Sequence, residues 1–142
     1  MDFRAIALAA AALLGAAPAP GAKLTVTVAG IRSDRGSIFC ELFAGPSGYP
    51  KDATKAIQLK QVAISQKAAS CVFEGLGPGT YAVAAYHDEN GNGKLDTNFL
   101  GIPSEGVAAS NDAKGTMGPP SFEKAKLTVA TVDLGITIHL TY

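Results

Sequence analysis

The 142-residue chain carries twelve acidic and twelve basic residues, and 47% of its residues are hydrophobic. The length fits one domain. The zero net charge argues against nucleic acid as a partner and against a polybasic membrane-surface patch, because both need a surplus of basic residues. We therefore expect one folded domain whose partner is a protein or a glycan.

The first residues, 1–22, have the pattern of a cleavable leader. Residues 3–17 are apolar and alanine-rich, interrupted only by Arg4. This run is shorter than the ~20 apolar residues of a transmembrane helix and is typical of a secretory signal peptide. The small residues Ala19 and Gly21 predict cleavage before residue 22, or one residue later, with an uncleaved anchor as the alternative. The expected location is periplasmic or secreted, without membrane insertion after cleavage.

The chain contains two cysteines, Cys40 and Cys71, both in apolar, strand-like segments. An even cysteine count in an exported chain favours a disulfide. Closing a loop of this size would contribute about 3 to 4 kcal/mol on the chain-entropy model. Two buried free thiols are the alternative. The absence of a CxxC or Cys/His cluster from the sequence argues against zinc.

Residues 23–142 predict a single all-β domain. Alternating apolar and polar residues, separated by glycine-containing turns, are typical of short strands. Seven are predicted, over residues 23–29, 37–43, 57–64, 69–73, 80–87, 126–132 and 133–141. The first two should pair as a hairpin, and the only helix candidate lies near residues 52–55. The expected fold is an antiparallel seven-stranded β-sandwich with one long polar loop over residues 88–121.

The long loop begins with oxygen-bearing side chains at alternate positions, Asp88, Asn90 and Asn92, followed by Gly93. This is the spacing of positions one, three and five in an EF-hand-type calcium loop. The glycine would permit the sharp turn because it tolerates positive φ. The pattern predicts a Ca²⁺ site at the end of the fifth strand.

Further calcium ligands would come from the following residues. The Lys94 carbonyl matches position seven and Asp96 matches position nine, but the twelfth position is Phe99 rather than glutamate. The last oxygen would therefore come from Asn98, Glu105 or Asp112. So few charged ligands predict weak binding, with a Kd on the order of 10⁻⁴ to 10⁻³ M. The alternative is a polar loop held by Asx turns without an ion.

The segment from Gly75 onward carries a combination of motifs: H-D-x-N-x-N-G-K-L-D-x-N, then G-I-P-x-E-G, then S-N, then G-P-P-S-F. In this combination the chain resembles a bacterial family of exported proteins called domain of unknown function 2141. The likeness extends over residues 23–142 and departs from the family pattern at Ala108 and Ala109. It implies a small exported β domain and no established activity. At the level of fold, the chain is also similar to transthyretin-like, immunoglobulin-like and adhesin B-type sandwiches.

Two histidines allow an alternative function, a transthyretin-like small-molecule hydrolase using His87 and the loop carboxylates. His139 is expected on the polar face of the last strand. The Tyr-Arg-Gly-Ser tail of that enzyme family does not match the final residues His-Leu-Thr-Tyr. No G-x-S-x-G motif or recognisable Ser/His/Asp spacing is present in the sequence. We therefore expect a protein without enzymatic activity, and no catalytic residue is assigned.

Several apolar features allow a binding role. Tyr49, Tyr86 and Phe99 could line a carbohydrate or peptide groove, although their spacing does not require one. Alanines on both faces of residues 80–87 suggest a strand that is covered on both sides or lies close to a packed neighbour. The segment 118–122 should pack Phe122 over the loop, with an exposed docking strip as the alternative. The expected function is a binding or envelope-structural module, monomeric or weakly oligomeric.

Overall fold

The computed structural model describes residues 21–142, so residues 1–20 of the predicted leader lie outside it. The described part forms eight strands: β1 (Ala22–Ala29), β2 (Ser37–Phe43), β3 (Gln58–Ala63), β4 (Ala69–Leu76), β5 (Gly79–Asp88), β6 (Val107–Ala109), β7 (Leu127–Val129) and β8 (Leu134–His139). One short helix, α1 (Phe122–Ala125), and two 3₁₀ turns, Ala53–Lys55 and Ser110–Asp112, complete it. Within residues 21–142 no helix has the length and apolar character needed to cross a membrane.

The all-β prediction is confirmed, and the strands form two sheets. The first sheet has the order β4-β1-β8, and the second has the order β3-β2-β5-β6, with β7 also paired to β5. Eight strands form in the described residues rather than the seven predicted, and two details of their pairing also differ from the prediction. The strands β1 and β2 lie in different sheets rather than in a hairpin, and β1 pairs with β8 in parallel. Both follow from long-range pairing, which short-range periodicity does not encode.

One apolar cluster joins the two sheets. In β2 the side chains of Ile38, Cys40 and Leu42 enter this cluster, as the two-residue period of a strand requires. The predicted disulfide is confirmed: Cys40 of β2 is bonded to Cys71 of β4 and so ties one sheet to the other across the core.

The second face of β2, directed away from this core, is also buried. Phe39, Glu41 and Phe43 all lie on it and are all buried. The same holds for β5, where Ala82 and Ala84 are buried on the outer face. The prediction of a strand covered on both sides is therefore confirmed for residues 80–87. Here the cover comes from connecting segments rather than from a third sheet.

The predicted loop over residues 88–121 contains regular structure that the sequence did not indicate. The strand β6 pairs with β5 through Ala84–Ala109, Ala85–Ala108 and Tyr86–Val107. Three residues are too few to display a strand period, so periodicity does not reveal this strand. The four-residue helix α1 is too short to display a helical period for the same reason. Its N-cap is Ser121, whose hydroxyl accepts a hydrogen bond from the Lys124 backbone N–H at 3.2 Å.

Candidate functional site

The predicted calcium loop starts where β5 ends, at Asp88. The Asp88 side chain is buried, and its carboxylate accepts backbone hydrogen bonds from Asn92 at 3.2 Å and Gly93 at 2.8 Å. Gly93 has φ 82°, the left-handed conformation expected of a glycine at this position. The first predicted ligand thus closes the loop by accepting N–H groups.

Asp96 lies across the loop from the two asparagines. Its carboxylate accepts hydrogen bonds from the side-chain amides of Asn90 at 2.5 Å and Asn92 at 2.7 Å. These hydrogen bonds, from Asn92 first and then Asn90, hold the pKa of Asp96 below its ordinary value. The Oδ1 atoms of both asparagines accept N–H groups two residues ahead, of Asn92 and Lys94 respectively. Both are Asx turns.

Glu105 joins the two ends of the loop. This buried carboxylate accepts the backbone N–H of Glu89 at 2.9 Å and that of Asp96 at 3.0 Å. Asp96 is tied to the same region again, because the Ser104 backbone N–H donates to its carbonyl at 2.9 Å. Glu105, predicted as a metal ligand, therefore has a role in binding backbone N–H groups.

The other predicted ligands are more scattered. The Asn98 Oδ1 atom accepts the backbone N–H groups of Leu100 at 2.8 Å and Ile102 at 3.1 Å, which makes a turn of its own. Asp112 instead accepts the His139 backbone N–H, 2.8 Å away. Among the described residues, no three His, Cys, Asp or Glu side chains are grouped to hold a metal. The structure brings Asp88, Asn90, Asn92 and Asp96 together, and calcium binding there stays a prediction.

His87, the residue of the hydrolase alternative, is fully buried and has both ring nitrogens engaged. Nε2 lies 2.6 Å from the Arg35 carbonyl and Nδ1 lies 2.7 Å from the Tyr142 hydroxyl. Because a carbonyl only accepts, Nε2 carries a proton. The Tyr142 hydroxyl accepts the Arg32 backbone N–H at 3.1 Å and can donate to Nδ1. These two contacts fix the imidazole between Arg35, just before β2, and the final residue, Tyr142.

An ion pair lies next to this histidine. The Arg32 guanidinium binds Glu89 through Nε and Nη2, with the shortest distance 2.6 Å, and stacks over the Tyr142 ring at 4.4 Å. The Arg32 hydrogen bonds are the main cause that lowers the pKa of Glu89 to about 2. His139 is exposed, as predicted, and its Nδ1 lies 2.9 Å from Asp112. His87 and His139 therefore have different side-chain hydrogen-bond partners.

A large groove lies on the outer face of the second sheet. Its volume is about 1220 Å³, and Glu41, Ala84 and Tyr86 line it from the sheet. The long loop supplies apolar side chains that are largely exposed: Leu100 (67%), Ile102 (54%) and Met117 (99%). His87, His139 and Glu105 do not line it. The groove meets the usual description of a ligand site, mostly apolar with few polar groups.

Small side chains explain why the groove exists. Across the sheet, Glu41 of β2 is in register with Ala84 of β5, which is in turn in register with Ala109 of β6. On one side the Phe39 and Tyr86 rings stack, with centroids 5.0 Å apart. Beside these rings, the small side chains of Ala84 and Ala109 leave space above the sheet.

The opposite end of this face is filled by aromatic packing. Tyr49 makes edge contacts with the Phe43 ring at 5.1 Å and the Phe122 ring at 5.8 Å. The Tyr49 hydroxyl donates to the Val83 carbonyl at 2.9 Å. Phe122, which the sequence predicts to be buried over the loop, is half-buried and packs beside the small cluster of Ala82, Ala109 and Ala125. Of the three aromatic residues predicted to line a groove, only Tyr86 does so.

Glu41 is the unusual group in this groove. Only 6% of the residue is exposed, and no described residue donates a hydrogen bond or pairs a charge with its carboxylate. Burial raises the pKa of Glu41 to about 7, since removal from water disfavours the charged form. Glu41 is absent from the predicted site residues, although the sequence carries a signal for it: one acidic residue within the otherwise apolar core of the strand Ser37–Phe43.

Fold and site together define an all-β domain with a cross-linked core and a loop-covered groove. The sequence profile of a bacterial family matches residues 26–136, and its description is an uncharacterized protein conserved in bacteria (DUF2141). Because the match extends over most of the chain, the chain belongs to this family, as the motifs after Gly75 predicted. No curated protein and no solved structure matches the chain.

Proposed function

We propose that the protein is an exported, non-enzymatic binding module of the β-sandwich type, with the groove on the outer face of the second sheet as its ligand site. The observation that carries the proposal is the groove itself, about 1220 Å³ in volume and lined by exposed apolar side chains of the long loop. Large exposed apolar patches with polar rims are typical of binding sites.

Export is supported by two features. The leader pattern of residues 1–22 is that of a secretory signal, and a disulfide joins Cys40 to Cys71. Disulfides persist in oxidising compartments such as the periplasm or the extracellular space. An envelope-structural role is the alternative within the same proposal, and it requires no occupant for the groove.

The long loop has a definite part in this function. Residues 88–106 carry Leu100 and Ile102 to the edge of the groove, while Glu105 and Asp88 fasten the loop base to β5. A weakly bound Ca²⁺ ion at Asp88, Asn90, Asn92 and Asp96 would stabilise the loop in addition to these hydrogen bonds. It would act on the stability of the loop and would not touch the groove floor.

The hydrolase alternative has less support. Both nitrogens of His87 are occupied by Arg35 and Tyr142, and His87 does not line the groove. A general base must reach the proton that it removes from a substrate. We therefore place the function in binding rather than catalysis.

The test uses a neutral, environment-sensitive fluorophore, N-phenyl-1-naphthylamine, titrated with the purified protein. We expect saturable, one-to-one binding that weakens at least fivefold in the double variant Leu100→Asp/Ile102→Asp, since charge on the rim opposes apolar contact. The matched control is Val132→Asp, because Val132 is 70% exposed but does not line the groove. Absence of saturable binding, or equal weakening by the control, would overturn the proposal and leave the envelope-structural role.

A further inference from the structure

The position of Glu41 indicates what kind of ligand the groove takes, provided that the groove is the binding site proposed above. Glu41 lies in the middle of β2 on the outer face, two residues from Phe39 and two from Phe43. In register beside it are Leu59 of β3 and Ala84 of β5. The carboxylate is thus set into an apolar floor.

This carboxylate has no partner among the described residues. Each oxygen of an ionised carboxylate can accept two hydrogen bonds. Glu105 and Asp88, the other buried acids, each accept two backbone N–H groups, whereas none of residues 21–142 donates to Glu41. No side-chain oxygen of the described residues is both sealed from solvent and without a partner, so the Glu41 oxygens are not enclosed in the core. A largely buried carboxylate in the lining of a groove marks a candidate functional site.

The positive charges around the groove do not fill this role. Lys51, Lys94 and Lys114 line it and none of them forms an ion pair with Glu41. The Lys114 ammonium instead donates to the Thr141 hydroxyl. The lysines belong to the rim, and the one acidic group belongs to the floor.

We propose that the ligand of the groove is a hydrophobic amine, whose protonated nitrogen binds the Glu41 carboxylate while its apolar body contacts Leu100, Ile102 and Met117. An ammonium group supplies the donors and the opposite charge that Glu41 lacks. An apolar body matches the lining of the groove. A carboxylic acid would place a second negative charge beside the first, which is unfavourable.

A metal ion fits this site poorly. Divalent cations need several oxygen, nitrogen or sulfur ligands. Within residues 21–142 no group of three metal-ligating side chains occurs, and Glu41 is the one acidic side chain that lines the groove. A single carboxylate on an apolar floor suits one ammonium group.

The tyrosine at the groove remains uncharged. The Tyr86 ring lines the groove and is held by stacking on Phe39. Burial raises the pKa of Tyr86 to about 12, so its hydroxyl remains neutral near pH 7.

The experiment compares three probes of similar size: 2-(1-naphthyl)ethylamine, 2-(1-naphthyl)ethanol and 1-naphthylacetate. At pH 8 we expect the wild-type protein to bind the amine about tenfold more tightly than the alcohol, and to bind the acid most weakly. In Glu41→Gln the amine and the alcohol should bind equally. Glu123→Gln, which alters an exposed glutamate outside the groove, should keep the tenfold preference.

The pH dependence gives a second readout. Amine binding should tighten between pH 6 and pH 8, as Glu41 ionises, while alcohol binding stays constant. The other ionisable residues on this face are three lysines and two tyrosines: Lys51, Lys94, Lys114, Tyr49 and Tyr86. These residue types have reference pKa values near 10, outside the range tested. The probe amine also stays protonated there.

The outcomes separate this inference from the proposed function. Equal binding of amine and alcohol by the wild type, or an amine preference that survives in Glu41→Gln, overturns the amine assignment. In either case, binding of N-phenyl-1-naphthylamine would still support the groove as the binding site. A preference for the acid would assign ligand recognition to the rim lysines and would also overturn the amine assignment. If none of the three naphthyl probes binds but N-phenyl-1-naphthylamine does, the amine assignment alone fails. If N-phenyl-1-naphthylamine does not bind either, both proposals fail. Circular dichroism spectra confirm that each variant is folded.

Discussion

The two faces of the second sheet are built from the same strands and differ in what covers them. On the inner face, Ile38, Cys40 and Leu42 pack against the first sheet, and a disulfide crosses the contact. On the outer face, Glu41 and Ala84 lie beneath connecting segments that leave a groove of about 1220 Å³. The first sheet buries Ile38, Cys40 and Leu42 fully. Loops cover the outer face only in part, so the outer face can hold a ligand.

The largest effect should come from removing the cross-link of the inner face. The double variant Cys40→Ala/Cys71→Ala should lower the free energy of unfolding by about 3 to 4 kcal/mol, since the disulfide closes a long loop in the unfolded chain. Urea unfolding measures this change. Fluorophore binding by the folded variant should be unchanged. A loss below about 1 kcal/mol would show that sheet packing does not depend on the cross-link.

Removing the carboxylate that fastens the loop should have the next largest effect. Glu105→Ala leaves the backbone N–H groups of Glu89 and Asp96 without an acceptor and should cost about 1 to 3 kcal/mol. Hydrogen exchange at these two amides should accelerate. Glu123→Ala is the matched control, because Glu123 is exposed and pairs only with Lys126 at the surface. Unchanged exchange in Glu105→Ala would contradict the assigned role.

The pH dependence of stability distinguishes the outer face from the inner face. The folded pKa of Glu41, about 7, lies above the ordinary value of 4.5. The folded protein therefore binds the proton more tightly, and this contribution is fully present below pH 4.5 and lost as the pH rises to 7. Relative to wild type, Glu41→Gln should gain stability between these pH values. A constant difference between the two proteins would contradict the burial of an unpaired Glu41 carboxylate.

The smallest effect concerns calcium at the loop. With a Kd of about 10⁻⁴ to 10⁻³ M, roughly 1 mM Ca²⁺ would stabilise the folded protein by about 0.4 to 1.4 kcal/mol and raise Tm by a few degrees. The shift should disappear in Asp96→Asn and on adding a chelator. Calorimetry with and without calcium measures it. An unchanged Tm would assign the loop to its own Asx turns and to Glu105.

Sequence periodicity was enough to predict most of the fold. The predicted bounds of β2 coincide with Ser37–Phe43, and the disulfide followed from the cysteine count and the predicted leader. Which strands pair was less predictable. The parallel neighbour of β1 is β8, which lies at the other end of the chain. Such a contact depends on the packing of the whole domain rather than on any local pattern.

The candidate site was predictable only in part. The loop residues Asp88, Asn90, Asn92 and Asp96 do meet, because their spacing already implies a tight turn. The groove did not follow from the sequence, since it depends on a row of small side chains contributed by separate strands. Glu41 stood out only as one acid within an apolar strand. Its isolation from donors became visible once the neighbouring residues were in place.

Backbone amide chemical shifts, mapped by NMR during titration with 2-(1-naphthyl)ethylamine, show where on the domain the amine binds. We predict that the shifted amides cluster at Glu41, Ala84 and Tyr86 and at the loop residues Leu100 and Ile102, and that in Glu41→Gln the same response requires about tenfold more probe. Shifts confined to the Asp88–Asp96 turn or to the first sheet, or no shifts at saturating probe, would contradict the account.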